Sequence, residues 1–229
     1  MARAEGQLKY LLRATRGNTR PDKVVRALAV IRASLHGIAH AENRDSVRGF
    51  EGQAAKAYFS ALPALLSAGV PDEMRPTGRS RRPPQDRFNA LLSFGYALLY
   101  RSVMQAIIAV QLEPSLGFFH TPRSAAHPLV LDLMELFRVP LWDMPLVGSV
   151  NRKQWDPKED FSVTRERVWL SDAGRRKAIG IYERRLKESW KHPVTQYSLS
   201  YARTIELEVR LLEKEWTGAP GLFAQSRIR

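Results

Sequence analysis

The sequence predicts an all-α protein, one multi-helix domain with at most a small β-hairpin near residues 161–170. Three observations carry that expectation. Apolar residues recur three to four apart over most of the chain, as in Val24, Leu28, Ile31, Leu35 and Ile38, which is the helical period. Start and stop residues stand where those stripes begin and end. There is also no internal repeat and no coiled-coil heptad to suggest a solenoid or a long zipper.

The elements follow in order. Residues 5–14 fit a short helix, stopped by Gly17-Asn18-Thr19. Pro21 opens a helix from Asp22 to about residue 41. Asp45 or Ser46 can cap the next one, which runs to residue 66 with Phe50, Ala54, Ala55, Tyr58, Phe59 and Leu62 inward and Pro63 as a kink or stop. Residues 67–84 form a loop rich in Pro, Gly and Arg. Asp86 opens a long apolar helix to about residue 111, and residues 114–122 form a second loop. Pro128 starts a helix through Arg138. Residues 139–160 read as irregular, with three prolines and two tryptophans. Residues 161–170 read as a strand or hairpin. Ser171 or Asp172 caps a helix to about residue 190, and a last helix covers residues 194–216, stopped by Gly218. The organisation is a basic N-terminal arm or short helix over residues 1–20 and one α-helical domain over residues 21–229.

Composition narrows the partners. The 229 residues carry 36 Lys+Arg against 23 Asp+Glu, a net charge of +13. A folded domain with that charge collects polyanions, nucleic acid first. The absence of cysteine excludes a disulfide scaffold, a thiolate zinc site and a cysteine nucleophile. At 44% hydrophobic and 9% aromatic the chain is not a disordered polycation. Residues 1–20 lack the apolar core of a signal peptide. Residues 90–110 lean apolar but are broken by Ser93, Tyr100, Arg101, Ser102 and Gln105, so they fit a buried helix and not a span of ~18 apolar residues. No membrane partner and a cytoplasmic location are expected. The charge is uneven: residues 101–150 are net −1, and every other block is positive.

Four segments carry candidate chemistry. In RGFEGQAAKAYF, Glu51 stands among Gly49, Gly52, Ala54 and Ala55. Small neighbours permit close approach of a ligand, although an acid favouring the helix dipole is the competing account. In NALLSFGYALLY, Asn89 and Tyr96 are polar groups on an apolar face and need partners if buried. In GFFHTP, His120 is a loop histidine between aromatics and a helix, open to a site role or to simple solvation. In LVLDLMELFR, Asp132 and Glu135 are three apart and share one helical face, about 5–6 Å apart at Cβ. If both are buried on so apolar a helix, at least one has its pKa raised unless a cation sits there. Arg138 is one candidate and a divalent metal the other.

Two patterns lead nowhere. His36 and His40 have helical zinc spacing, but HGIAH lacks the acid of HExxH, and His127 is only a plausible first-turn residue. Without a GxxxxGK[ST] loop, a GxGxxG turn or a GxSxG elbow, nucleotide hydrolysis, dinucleotide chemistry and serine esterase chemistry have no foothold.

Taken in order, RGFEGQAAKAYF, NALLSFGYALLY, GFFH and LVLDLMELFR resemble the catalytic α-helical domain of the CRISPR-associated spacer integrases, the Cas one family. The resemblance covers roughly residues 5–220. It implies a multi-helix catalytic domain with metal ligands Glu51, His120 and Glu135 and with Asp132 as auxiliary acid. It also implies Mg²⁺ or Mn²⁺ as cofactor, a homodimer or higher oligomer on double-stranded prespacer and repeat DNA, and the small Cas two protein as a further candidate partner. One departure stands out. The family's usual N-terminal β domain has no counterpart in the 20 or so residues before the first strong helix, so a compact variant or a fragment is expected.

The implied reaction is metal-dependent joining of DNA 3′-hydroxyl ends by transesterification, a chemistry in which a divalent metal stabilises charge on the phosphodiester oxygens. Candidate DNA contacts are Arg48, Arg79, Arg81, Arg82, Asn89, Tyr96, Arg165, Arg167, Arg175 and Arg176. Two other readings stay open: a noncatalytic basic helical DNA-binding module, and a metal-dependent nuclease that cuts without joining.

Overall fold

The computed structural model describes residues 1–121, 127–192, 195–218 and 221–224. Pro122, at the end of the GFFHTP segment, and Val194, where the sequence pattern starts the last helix, lie outside the described residues. The all-α expectation holds: helices dominate, with two two-stranded hairpins among the described residues.

Helices α1 (Ala2–Ala14), α2 (Asp22–Ala39) and α3 (Arg44–Ala61) come first. The segment expected as a basic arm or short helix is α1, and it sits against α2 and α3 with Ala4 and Leu11 in the core. The stripe on α2 buries Val24, Leu28 and Ile31 as the period requires. Where α2 meets α3, Gly37 leaves room for the Phe50 ring, and a Cβ there would stand 2.5 Å from it. The cap of α3 is Asn43, not Asp45 or Ser46: its Oδ1 accepts from the Ser46 N–H at 2.9 Å. Glu51 therefore lies two turns inside the helix, where the dipole of the N-terminus no longer acts on it. Pro63 follows as expected, in a tight turn over Leu62–Leu65.

Helix α4 (Arg87–Ala109) opens on Asp86, whose Oδ1 accepts from the Asn89 N–H at 2.7 Å. By length and composition α4 could cross a membrane. Here it is the central helix of the core, packed by α5 (Pro128–Met134), α7 (Asp172–Lys187) and α8 (Tyr201–Trp216). Two of its polar interruptions have partners. Ser102 accepts from the Tyr182 hydroxyl at 3.0 Å, and the Tyr100 oxygen accepts from the His127 N–H at 3.2 Å.

The stretch expected to be irregular after residue 138 is helical to Asn151. A wide turn over Val139–Asp143 leads into α6 (Met144–Asn151). Pro140 and Pro145 do not interrupt it, because each falls in a first turn, where no N–H is needed. Trp142 is fully buried against Gly95, and its indole N–H donates to the Leu91 carbonyl at 3.0 Å.

Strands β1 (Phe161–Val163) and β2 (Val168–Leu170) form the expected hairpin, with Phe161 opposite Leu170. Ser171 caps α7 through Gly174 N–H at 3.1 Å. A second hairpin, β3 (Ser189–Lys191) with β4 (Ser198–Ser200), stands where helix was expected, and α8 begins only after it. Packing decides this. Trp190 stacks on Tyr201 at 6.0 Å and its indole N–H donates to Thr204 Oγ1 at 2.9 Å, which ties the hairpin to α8.

Candidate metal and nucleic-acid site

The site is organised by one carboxylate. Asp132, in α5, has no exposed side-chain surface. Its Oδ2 accepts from the N–H groups of Phe118 at 2.7 Å and Phe119 at 2.9 Å. Its Oδ1 accepts from the His120 N–H at 2.9 Å and meets His120 Nδ1 at 2.5 Å. The loop wraps the acid closely because Gly117 has no side chain: a Cβ there would lie 2.4 Å from Pro128 Cβ and 2.9 Å from Asp132 Oδ2. A carboxylate only accepts, so the imidazole proton sits on Nδ1. The Nε2 lone pair is then available, the arrangement in which a carboxylate orients a metal-binding histidine. His120 is thus not a solvated bystander.

Glu51 and His120 line one cleft of about 1670 Å³. Gly52 lines the same wall, and a Cβ on it would meet nothing within 4 Å, so the small residues around Glu51 do leave open space. Glu135 lies in the turn just after α5 and is held by two guanidiniums. Arg138 Nε approaches Oε1 at 3.0 Å and Arg3 Nε approaches Oε2 at 3.0 Å. The pairing of Glu135 with Arg138 is the cation that the sequence offered as one alternative. Arg3 lines the cleft together with Glu51 and His120. Among the described residues, no three His, Asp or Glu side chains close into a metal-sized group.

The donor set still suits a divalent ion. It offers two carboxylates and an imidazole with its second nitrogen already bonded, a mixture that Mn²⁺ or Mg²⁺ accepts. Glu135 Oε2 is moreover buried with no directed hydrogen bond, despite its ion-pair contact.

A buried polar chain backs Glu135. The Arg138 guanidinium lies 4.5 Å from the centre of the Tyr96 ring. The Tyr96 hydroxyl donates to Asp143 Oδ1 at 2.7 Å, and the Tyr58 hydroxyl donates to Oδ2 at 3.0 Å. Burial pushes the Asp143 carboxyl up to about 6, while the two tyrosine hydrogen bonds and the charges of Arg138 and Arg3 work against that rise. Burial, with Asp143 close by, also raises both tyrosines well above their ordinary value. No spacing pattern pointed to Asp143.

The candidate DNA contacts divide. Arg48, Arg79 and Arg81 line the cleft. Arg48 also donates to the Phe119 carbonyl at 2.7 Å, bracing the histidine loop. Arg79 donates to Asn89 Oδ1 at 2.9 Å and lies over Phe59, and burial lowers its pKa. Asn89 and Tyr96 are corrected. Both are buried, Asn89 donating to Gly78 O and Asp86 while Tyr96 serves Asp143, so neither presents a group to a DNA strand. Arg82, Arg165, Arg167, Arg175 and Arg176 are exposed but do not line the cleft. The sequence reading missed Arg3, Lys23, Arg26 and Lys56, which do. Helical spacing held the signal: Lys23 and Arg26 are one turn apart, and Arg48, Gly52 and Lys56 repeat every four residues. The histidines of HGIAH only touch each other, at 4.3 Å between ring centres.

The family model for CRISPR associated protein Cas1 matches residues 1–184. The chain belongs to the Cas1 family. Over its full 229 residues it is 60% identical to a CRISPR-associated exonuclease Cas4/endonuclease Cas1 fusion from Leptospira interrogans, and it spans 42% of that relative's length. A solved Cas1 protein from Thermotoga maritima has the same fold, at TM-score 0.76 and 28% identity over 96% of this chain and 66% of its own. Two more distant structures share the fold. One is a casposase bound to integration product, at TM-score 0.77 and 19% identity over 99% of this chain and 64% of its own. The other is a Cas6-RT-Cas1–Cas2 complex, at TM-score 0.83 and 22% identity over 100% of this chain and 24% of the matched one. In this Cas1 chain three of the four ordered segments supply residues to the cleft wall, among them Glu51, His120 and Leu131, with Asp132 behind the histidine; Tyr96, in the remaining segment, reaches Glu135 through Arg138.

Proposed function

We propose that this Cas1 chain is the metal-dependent DNA-joining domain of CRISPR spacer acquisition. The observation that carries the reading is the Asp132–His120 clamp at a cleft that also holds Glu51 and seven basic side chains: Arg3, Lys23, Arg26, Arg48, Lys56, Arg79 and Arg81. Positive charge along such a cleft binds phosphates without reading sequence. Glu51, Glu135 and His120 Nε2 would hold Mg²⁺ or Mn²⁺. When bound, that ion supplies Lewis-acid stabilisation of the phosphodiester oxygens and lowers the pKa of the attacking hydroxyl.

The chain's own groups do the rest. Asp132 fixes the His120 tautomer and orientation. The cleft arginines and lysines hold the duplex backbone so that a 3′-hydroxyl faces the scissile phosphate, which positioning alone favours strongly. No side chain becomes a covalent nucleophile: the 3′-oxygen bonds to phosphorus, and the original 3′-oxygen leaves with a proton. The reading extends to prespacer and repeat DNA as substrates, a homodimer or higher oligomer, and a Cas2 partner. The casposase bound to integration product and the complex that contains Cas2 support it by likeness of fold.

Strand transfer of a short duplex into supercoiled plasmid tests it. Glu51→Ala, His120→Ala and Glu135→Ala should each abolish transfer, and retention of parental transfer by all three overturns the proposal. A product that is cut but not joined would favour the nuclease reading. One observation favours the noncatalytic alternative, namely that Glu135 is already neutralised by Arg3 and Arg138. That alternative requires DNA binding insensitive to EDTA and no measurable affinity for Mn²⁺.

A further inference from the structure

Glu135 makes ion pairs with two guanidiniums, and the two are not equivalent. Arg138 is three residues along the same chain segment and is pinned on the Tyr96 ring. Arg3 comes from the first turn of α1 and lines the open cleft with Glu51 and His120. Its side chain is 14% exposed, against 12% for Glu135. Burial alone would lower the pKa of Arg3, yet it is raised, because the charges of Glu135, Tyr96, Glu51 and Asp143 all favour its cation. Arg3 thus pairs with Glu135 while lining the cleft that Glu51 also lines. Both contacts are poorly directed: Arg3 Nε and Arg138 Nε each lie 3.0 Å from a Glu135 oxygen, and neither makes a directed hydrogen bond, so the ring contact of Arg138 and the open cleft beside Arg3 are what distinguish them. Such a pair rests on charge more than on hydrogen bonding, and another cation can replace it.

We propose that Arg3 is the internal counter-cation of the site, holding Glu135 in the metal-free protein and yielding that place when a divalent ion binds Glu51 and Glu135. The inference rests on the metal-ligand reading above. Arg138 and Arg3 together over-neutralise a single carboxylate. A dipositive ion held by Glu51 and Glu135 would be repelled by both guanidiniums. Arg138 is fixed by its ring contact, so Arg3 is the one that must leave. The cleft gives it room, and there it becomes available to a DNA phosphate.

The test is a titration of the DNA-free chain with manganese chloride, reading free Mn²⁺ by electron paramagnetic resonance, for the parent, Arg3→Gln, Arg3→Lys and Glu135→Gln. Removing a competing charge-assisted contact should tighten Mn²⁺ binding roughly tenfold in Arg3→Gln. Arg3→Lys, which keeps the charge on a shorter donor set, should fall between it and the parent and keeps the test alive if Arg3→Gln does not fold. The Mn²⁺-induced rise in melting temperature should be larger in Arg3→Gln than in the parent. If the parent binds Mn²⁺ and both Arg3 variants bind equally or more weakly, Arg3 does not hold the metal's place and the proposal fails alone. If the parent and Glu135→Gln are alike in showing no binding, the metal reading fails and takes this proposal with it.

Discussion

Asp132→Asn separates a carboxylate that builds a loop from one that merely occupies a helix face. The substitution keeps the shape and turns one acceptor oxygen into a donor. At the Oδ2 side the new amide would orphan two backbone N–H groups, those of Phe118 and Phe119. At the Oδ1 side it would orphan only the N–H of His120, because the imidazole can change tautomer to meet it. The amide will therefore turn its nitrogen toward His120. One orphaned N–H costs about 1–3 kcal/mol, and the two remaining bonds lose their charge assistance, about half their strength. A total of about 2–3 kcal/mol corresponds to a drop of roughly 4–12 °C in melting temperature for a domain of this size. The same rearrangement moves the imidazole proton to Nε2, and the lone pair facing the cleft is lost. Affinity for Mn²⁺ should fall by about 10–100-fold, the usual consequence of losing an orienting partner. Calorimetry measures the first effect, and long-range proton–nitrogen NMR of His120 reads the tautomer. An unchanged melting temperature together with a retained Nδ1 proton would refute the clamp.

Asp143 gives a pH signature. Its carboxyl sits at about 6 in the folded chain against an ordinary 3.8, so the folded state binds the proton more tightly. Its contribution to stability is complete at low pH and is lost as pH rises from about 4 to about 6, an effect of up to about 3 kcal/mol. Asp143→Asn can still bond both tyrosine hydroxyls and lacks the titration. Urea unfolding of the variant should gain on the parent across that window and hold its gain above it, and a constant difference from pH 4 to 7 would contradict the burial argument. On the cleft wall, charge reversal at Lys23 and Lys56 should weaken duplex binding without regard to sequence. It should also lower the steepness of the salt dependence by about one unit for each phosphate that is no longer neutralised, as fluorescence anisotropy at several salt concentrations would show.

Period and capping made most of the helices legible, because α2, α3 and α4 each bury one apolar stripe and start at a polar cap or a proline. What failed was local. The β3–β4 hairpin depends on Trp190 reaching Tyr201 and Thr204, a tertiary contact that no window of sequence contains. The helical continuation through Val139–Asn151 depends on two prolines falling in first turns, a matter of register that a count of prolines misreads. Asn43 escaped notice as a cap because Asp45 and Ser46 were closer to the apolar run.

The site shows the same division more sharply. Glu51, His120, Asp132 and Glu135 were legible as residues, through their order and their neighbours. The resemblance ranked Glu135 as ligand and Asp132 as auxiliary acid, but spacing alone did not show what each one touches. Spacing put Asp132 and Glu135 on one face as if they were equivalent acids, yet the structure gives them different surroundings. Asp132 has both its oxygens committed to a loop 12 to 14 residues away. Glu135 is left with an oxygen that no hydrogen bond directs. The difference arises because α5 ends at Met134. Glu135 falls in the turn beyond it and meets Arg3 of α1, while Asp132 stays on the helix and meets the loop. A carboxylate saturated by N–H donors has little left for a metal, whereas one partly held by a cation that can leave keeps an oxygen available. The end of a seven-residue helix thus separates a carboxylate bound to a loop from one bound to cations, and that distinction supports the proposal of Glu135, and not Asp132, as the metal ligand.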